Sequence, residues 1–141
     1  MEISQGGKQF IMANEGLKLA VSGDTGGKQE IGYGHDLLPG ESFPDGITQI
    51  QAMLLLNADL APVENAINAL GWELTQNQYD ALADFGYECG HEAVEELAAH
   101  GESQVTAQLP HWRFAHVGGV LKVLPGMVTR RAAEVELWNT P

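Results

Sequence analysis

The stretch Glu15-Gly16-Leu17-Lys18-Leu19-Ala20-Val21-Ser22-Gly23-Asp24-Thr25-Gly26-Gly27-Lys28-Gln29-Glu30-Ile31-Gly32-Tyr33-Gly34-His35 decides how this chain is read. Beyond Leu17 its short apolar runs are cut by Gly23, Gly26, Gly27, Gly32 and Gly34, and Asp24-Thr25-Gly26-Gly27 has the composition of a hairpin turn. A small antiparallel sheet of two or three strands is therefore predicted. On its N-terminal side, Phe10, Ile11 and Ala13 fit a short helix over residues 5–14, stopped by Asn14-Glu15-Gly16. That boundary puts Glu15 at a helix C-terminus.

Beyond the sheet the pattern turns helical. After Pro39-Gly40 and Pro44-Asp45-Gly46, Thr48-Gln49-Ile50-Gln51 has the form of a capping box, opening a long helix expected to reach about Leu70 with a break near Pro62. A second box, Thr75-Gln76-Asn77-Gln78, precedes Tyr79, Leu82, Ala83, Phe85 and Gly86 and predicts the central, most buried helix. Glu92 to His100 reads as an acidic helix, Ser103 to Leu109 as a shorter one, and Pro110-His111-Trp112 as a connector. Gly118-Gly119 and Pro125-Gly126 bracket an expected loop before a last helix from Met127 to Trp138. The fold class is α+β, mainly α. A sheet lobe over about 15–47 stands beside a helical lobe over about 48–141, with the helix 5–14, in one domain spanning 1–141 and with a cleft where the lobes meet.

Composition narrows the function. A chain of 141 residues that is 44% hydrophobic and 18% charged holds one core and is not a disordered acidic chain. Nineteen Asp and Glu against seven Lys and Arg give a net charge of -12, which repels nucleic acid and anionic membranes. No apolar run approaches the roughly twenty residues of a membrane span. The N-terminus lacks a basic region followed by an apolar stretch, so synthesis in the cytoplasm without a signal peptide is expected. Cys89 stands alone, forms no internal disulfide and reads as an inert buried thiol.

Glu15, Asp24 and Glu30 fall on a helix end and a hairpin, so the fold could bring all three to one side of a cleft. Paired carboxylates are what glycosidic cleavage requires: one donates a proton to the leaving oxygen and the other activates water or attacks the anomeric carbon. The negative end of the helix dipole, with any burial against the sheet, would raise the pKa of Glu15 and suit it to be the general acid. Facing water at a frayed end, it would instead be ionised and inert.

These residues carry a resemblance. Glu15-Gly16-Leu17, eight residues, Asp24, then Ile31-Gly32-Tyr33-Gly34-His35 resembles the catalytic hairpin of phage-type lysozymes, glycoside hydrolase family 24. Thr75 to Leu82, with Phe85 and Gly90, resembles the family's central helix, and Trp112 followed by Pro125 to Glu134 resembles its C-terminal signature. The resemblance implies a lysozyme-like fold and cleavage of the bond between N-acetylmuramic acid and N-acetylglucosamine in peptidoglycan. It implies Glu15 as general acid, Asp24 as positioner of water or stabiliser of charge, and neither metal nor cofactor. It further implies a structural His35 beside Gly34, and one arginine of the pair Arg130 and Arg131 approaching Glu15, with Arg130 preferred. Adjacent helical residues point about 100° apart, so both cannot face the cleft; the bland alternative is a surface pair complementing Glu134 and Glu136. The partner implied is the peptidoglycan glycan strand, met by a monomer after release to the wall.

The sequence also departs from that family. Where the usual pattern has threonine, six residues after the aspartate, stands Glu30. It could serve as the base of an inverting reaction, as the nucleophile of a retaining one, or point away and leave the site impaired; carboxyl separations of roughly 5 Å or roughly 6.5 to 9.5 Å would distinguish the first two. Glu88 replaces a common amide near the sugar groove, converting a donor and acceptor into an acceptor, and Tyr87 is expected beside a sugar. The carboxylates predict an acid-shifted optimum. Two other readings stay open: hydrolysis of a related N-acetylglucosamine polymer such as chitin, and a non-catalytic wall-binding module.

Overall fold

The computed structural model describes residues 1–23 and 28–141. The chain divides into two compact units, one of residues 9–61 and one of residues 1–8 with 62–141. The first is a sheet unit. Helix α1 (Gln5–Glu15) enters it, and three antiparallel strands follow in the order β1 (Lys18–Ser22), β2 (Glu30–Gly32), β3 (His35–Asp36). Ser22 faces Glu30 and Lys18 faces Gly32, with a register shift between them, while Ile31 faces His35. Ile31 is fully buried and joins Ile11, Tyr33, Ala52, Leu56 and Leu60 in the unit's core. Alternation along a strand then puts Glu30 on the opposite face of β2 from Ile31. The turn residues Asp24-Thr25-Gly26-Gly27 of the sequence reading lie outside the described residues.

Helix α2 (Gln49–Ala69) starts as its capping box demands: Thr48 N donates to Gln51 Oε1 at 2.8 Å and Gln51 N to Thr48 Oγ1 at 3.1 Å. The break expected near Pro62 does not occur. Proline deprives only the Ala58 carbonyl of its helical donor, and Pro62 lies on an exposed face where water can replace it. The division between the two units nevertheless falls at this residue.

In the helical unit, α3 (Gln76–Cys89) carries the second box, with Thr75 N donating to Gln78 Oε1 at 2.9 Å and Gln78 N to Thr75 Oγ1 at 3.3 Å. Such caps contribute about 1 kcal/mol each. As its periodicity predicts, α3 is buried continuously from Tyr79 to Gly86. It packs with α4 (His91–Ala98) and α6 (Pro125–Trp138) around Ile67, Leu82, Phe85, Val94, Leu97 and Trp138. Asp80 of α3 fastens the start of the chain, accepting from Ser4 N at 2.9 Å and from the Ser4 hydroxyl. That hydroxyl also caps α1 by accepting from Gly7 N at 2.9 Å.

Two expectations change in detail. The predicted helix from Ser103 is a 3-10 turn (Glu102–Gln104), one α turn, α5 (Val105–Gln108), and a second 3-10 turn (Leu109–His111) that absorbs part of the expected connector. The expected loop is a two-stranded hairpin, β4 (Phe114–Val117) and β5 (Val120–Val123), turning at Gly118-Gly119. Its apolar residues are exposed, so no alternation of apolar and polar positions marked it as sheet.

Candidate active site

Within the sheet unit, Glu15 is the last residue of α1 and is half-buried. The carboxylate lies against the backbone of Gly34: a Cβ there would stand 2.6 Å from Glu15 Oε2 and 3.1 Å from its Cδ. Gly34 also has φ +76°, so its conformation favours glycine, and a Cβ there would displace the Glu15 carboxyl. Glu30 sits at the start of β2 and forms an ion pair with Lys18 Nζ at 3.5 Å on the partly exposed face of the sheet. Asp24 lies outside the described residues.

His35 is 3% exposed and gripped at both ring nitrogens. Nδ1 meets Asp59 Oδ2 on α2 and Nε2 meets Glu41 Oε1, each at 2.7 Å. Burial alone would lower the pKa of the imidazole, but the two carboxylate hydrogen bonds outweigh it and hold the ring above its ordinary 6.5. Glu41 in turn is held below the usual range by His35, whereas burial raises Asp59. The clamp ties β3 to the loop after it and to α2. Its contribution is complete below pH 6.5 and drains away as the pH climbs past the raised value. His35→Asn is expected to destabilise the protein by about 1.5–3 kcal/mol at pH 6, with a smaller deficit in alkaline buffer, read from urea unfolding.

In the helical unit the arginine pair is not a surface pair. Arg130 forks onto Asp84, with Nε to Oδ2 at 2.9 Å and Nη2 to Oδ1 at 2.8 Å, and its Nε is also 2.8 Å from Glu88 Oε2. Arg131, 1% exposed, reaches the same Glu88 oxygen with Nη2 at 2.8 Å, and Glu134 Oε1 at 2.5 Å. Its Nη1 donates to Cys89 Sγ at 3.0 Å, and its guanidinium lies over the Phe85 ring at 5.1 Å. Phe85 meets Trp112 edge to face at 5.2 Å. The adjacent arginines leave α6 in different directions, yet both converge on Glu88.

This explains the acid at position 88 physically. An amide oxygen could take the place of the one Glu88 oxygen that both arginines reach, but it would carry no negative charge to set against two guanidinium groups. Glu88→Gln is expected to lower stability by about 1.5–3 kcal/mol, seen as an earlier urea midpoint. Burial pushes the Cys89 thiol up to about 11, so it is no nucleophile at neutral pH. Burial first, and then the hydrogen bond with Asp84, raise the Glu134 carboxyl to about 9 against the pull of Arg131. With Glu134 neutral, two guanidinium groups face two carboxylates, Asp84 and Glu88. Tyr87, in the last turn of α3, is half-buried.

Sequence reasoning misses Asp59, Glu41 and Asp84, and takes Glu134 only as a surface complement of the arginine pair. Only the last two left a signal: Asp84 stands four residues before Glu88 on an apolar helix, and Glu134 three after Arg131, both helical contact spacings.

The phage lysozyme family profile matches residues 12–134. The chain belongs to the phage lysozyme family. It is 34% identical to an endolysin of Acyrthosiphon pisum secondary endosymbiont phage 1, an alignment covering 99% of both chains. It is 36% identical to an endolysin of Bacillus phage PZA over 99% of its own length, but spans only 56% of that protein. Among solved structures, the muramidase domain of SpmX from Asticaccaulis excentricus superposes with a TM-score of 0.83 at 33% identity, covering 99% of each chain. The α+β, mainly helical, lysozyme-like fold read from the sequence is thereby established, as is a glycoside hydrolase that acts on peptidoglycan. No described helix is long and apolar enough to cross a membrane.

Proposed function

We propose that the enzyme hydrolyses the β-1,4 bond between N-acetylmuramic acid and N-acetylglucosamine, with Glu15 as the general acid. The observation that carries this is the seat of Glu15 at the C-terminus of α1 against Gly34, where a side chain on residue 34 would displace the carboxyl. A fixed acid can donate to the glycosidic oxygen as the bond breaks. Asp24 and Glu30 supply the second carboxylate, as base, nucleophile or stabiliser of the oxocarbenium-like charge. Arg130 supports the site as the arginine assigned to Glu15 by family resemblance, and Tyr87 and Glu88 border the bound sugar. The protein acts as a monomer on the wall after release from the cytoplasm.

The test is mass spectrometry of fragments released from purified peptidoglycan at several pH values. Disaccharide-peptides with a reducing muramic acid end are expected, in greater yield at mildly acid pH. Fragments ending in reducing N-acetylglucosamine, or release from chitin alone, would overturn the bond assignment. The anomer first formed, read by proton NMR, assigns the second carboxylate: inversion makes it a base and retention a nucleophile.

A further inference from the structure

The seven lysines and arginines are unevenly placed. None falls between Lys28 and Arg113, and four lie between residues 103 and 133, a stretch that holds no Asp or Glu. Of these four, Arg130 and Arg131 are neutralised by Asp84 and Glu88. Arg113 and Lys122, on the β4–β5 hairpin of the helical unit, are not. The Arg113 guanidinium lies over the Phe114 ring at 5.3 Å and donates to Pro110 O at 3.3 Å, and neither cation meets a carboxylate among the described residues. The hairpin is a basic island on a chain whose net charge is -12.

The same ribbon is apolar on both faces. Its register sets Phe114 against Val123, His116 against Leu121, Ala115 against Lys122 and Val117 against Val120. Residues directly opposite share a face, and faces alternate along each strand. Phe114, Leu121 and Val123 therefore surround His116 on one side, while Val117 and Val120 stand beyond Lys122 on the other. Both sides are open to solvent, with Val120 56% and Leu121 57% exposed. The two strands pair with each other and pack little against the helices, so the fold hides neither face. A contiguous apolar surface of this kind marks a place of contact.

Two features select the occupant. A protein laid against the ribbon covers one face and leaves the other in water, whereas a lipid interface receives both. Polarity is also graded along the ribbon. Val117 and Val120 flank the Gly118-Gly119 tip, and Lys122 follows two residues behind Val120, a separation of about 7 Å at the rise of a strand. Interfacial elements sink by about 5–10 Å, so the valines reach the acyl boundary while Lys122 and Arg113 lie level with the phosphates. Phe114, between the cations, takes the headgroup level that aromatic rings favour. The outer edges of a two-stranded ribbon carry N–H and C=O groups that hydrocarbon cannot satisfy, which keeps the contact shallow and reversible. Acids elsewhere on the chain repel such a surface, but the ribbon, about 14 Å long, exceeds the screening length of about 8 Å at physiological salt.

We propose that the β4–β5 hairpin docks the protein on the surface of an anionic phospholipid bilayer, with Val117, Val120 and Leu121 entering the interface and Lys122 and Arg113 on the lipid phosphates. The contact is peripheral and uses no residue assigned to hydrolysis. It stands whichever glycan bond the enzyme cuts, and it concentrates the chain at a membrane face.

Co-sedimentation of the full chain with vesicles tests this, using phosphatidylglycerol and phosphatidylcholine in equal parts against phosphatidylcholine alone. Binding to the mixed vesicles is expected to be roughly tenfold tighter or more, the joint effect of two cations near an anionic surface. Lys122→Gln and Arg113→Gln should each weaken it about fivefold. Val120→Asp, which puts a carboxylate at the tip, should weaken it by about tenfold or more. Val120 and Lys122 are exposed, so Val120→Asp and Lys122→Gln are expected to melt with the parent, and a folding defect would not mimic the loss. Absence of binding, equal binding to the two kinds of vesicle, or undiminished binding by Val120→Asp overturns the proposal. So does self-association without vesicles that Val120→Asp abolishes, since the hairpin would then dock on a second copy of the chain.

Discussion

Exchanging Glu15 for glutamine is expected to reduce peptidoglycan hydrolysis by roughly 10³-fold or more, within the range general acid catalysis supplies, and to leave the melting temperature unchanged. Glutamine has the shape of glutamate and keeps the packing against Gly34, so the substitution removes the transferable proton while keeping the side chain in its seat. Gly34→Ala makes the complementary test. Its Cβ would press on the Glu15 carboxylate at 2.6 Å and hold a non-glycine residue at φ +76°, so both activity and stability should fall, the latter by about 1–2 kcal/mol. Rates come from soluble muropeptide release and stabilities from thermal unfolding. A Glu15→Gln enzyme with undiminished turnover would move the acid to Asp24 or Glu30. A Gly34→Ala enzyme with full activity would show that the seat of Glu15 is not what orients it.

The sequence made legible what is local. Thr48 with Gln51 and Thr75 with Gln78 are reciprocal contacts three residues apart, so the starts of α2 and α3 could be read without tertiary information. The end of α1 at Glu15 and the strands after it were marked by glycines, whose freedom is a property of the residue. The local penalty of Pro62 predicts a break, whereas α2 runs through it because the missing hydrogen bond falls on an exposed face. The β4–β5 hairpin was missed because Phe114, Val117, Val120, Leu121 and Val123 are exposed, so burial imposed no alternation to read. The partners of His35 could not be found: Asp59 lies 24 residues away and Glu41 sits in a loop, and nothing local distinguishes them from solvated acids. Glu88 was noticed as a departure, but its reason is tertiary, since the pull of two arginines from α6 appears only once α3 and α6 are packed.

Removing Arg131 is expected to be the most destabilising of these changes. Arg131→Met keeps much of the side-chain volume over Phe85 but deprives Glu88, Glu134 and Cys89 of a guanidinium in a buried setting. Breaking one side of a buried ion pair costs about 3–5 kcal/mol, which in a domain of this size lowers the melting temperature by roughly 10 °C. Glu134→Gln separates the charge from the proton. The Glu134 pKa rises from 4.5 to about 9 on folding, so the folded chain keeps a proton that the unfolded chain has released. The stability tied to that proton is complete below pH 4.5 and is lost as the pH rises towards 9, by up to about 1.4 kcal/mol per pH unit. A neutral glutamine, whose oxygen can accept from Arg131 and whose amine can donate to Asp84, carries no such dependence. Urea midpoints at pH 5 and pH 8 should therefore fall in the parent and hold more nearly level in Glu134→Gln. Parallel profiles for the two proteins would mean that Glu134 is ionised when folded, leaving three carboxylates against two arginines. Arg131→Met would then leave that excess of negative charge still less compensated, and its destabilisation would deepen with rising pH through the range where Glu134 ionises.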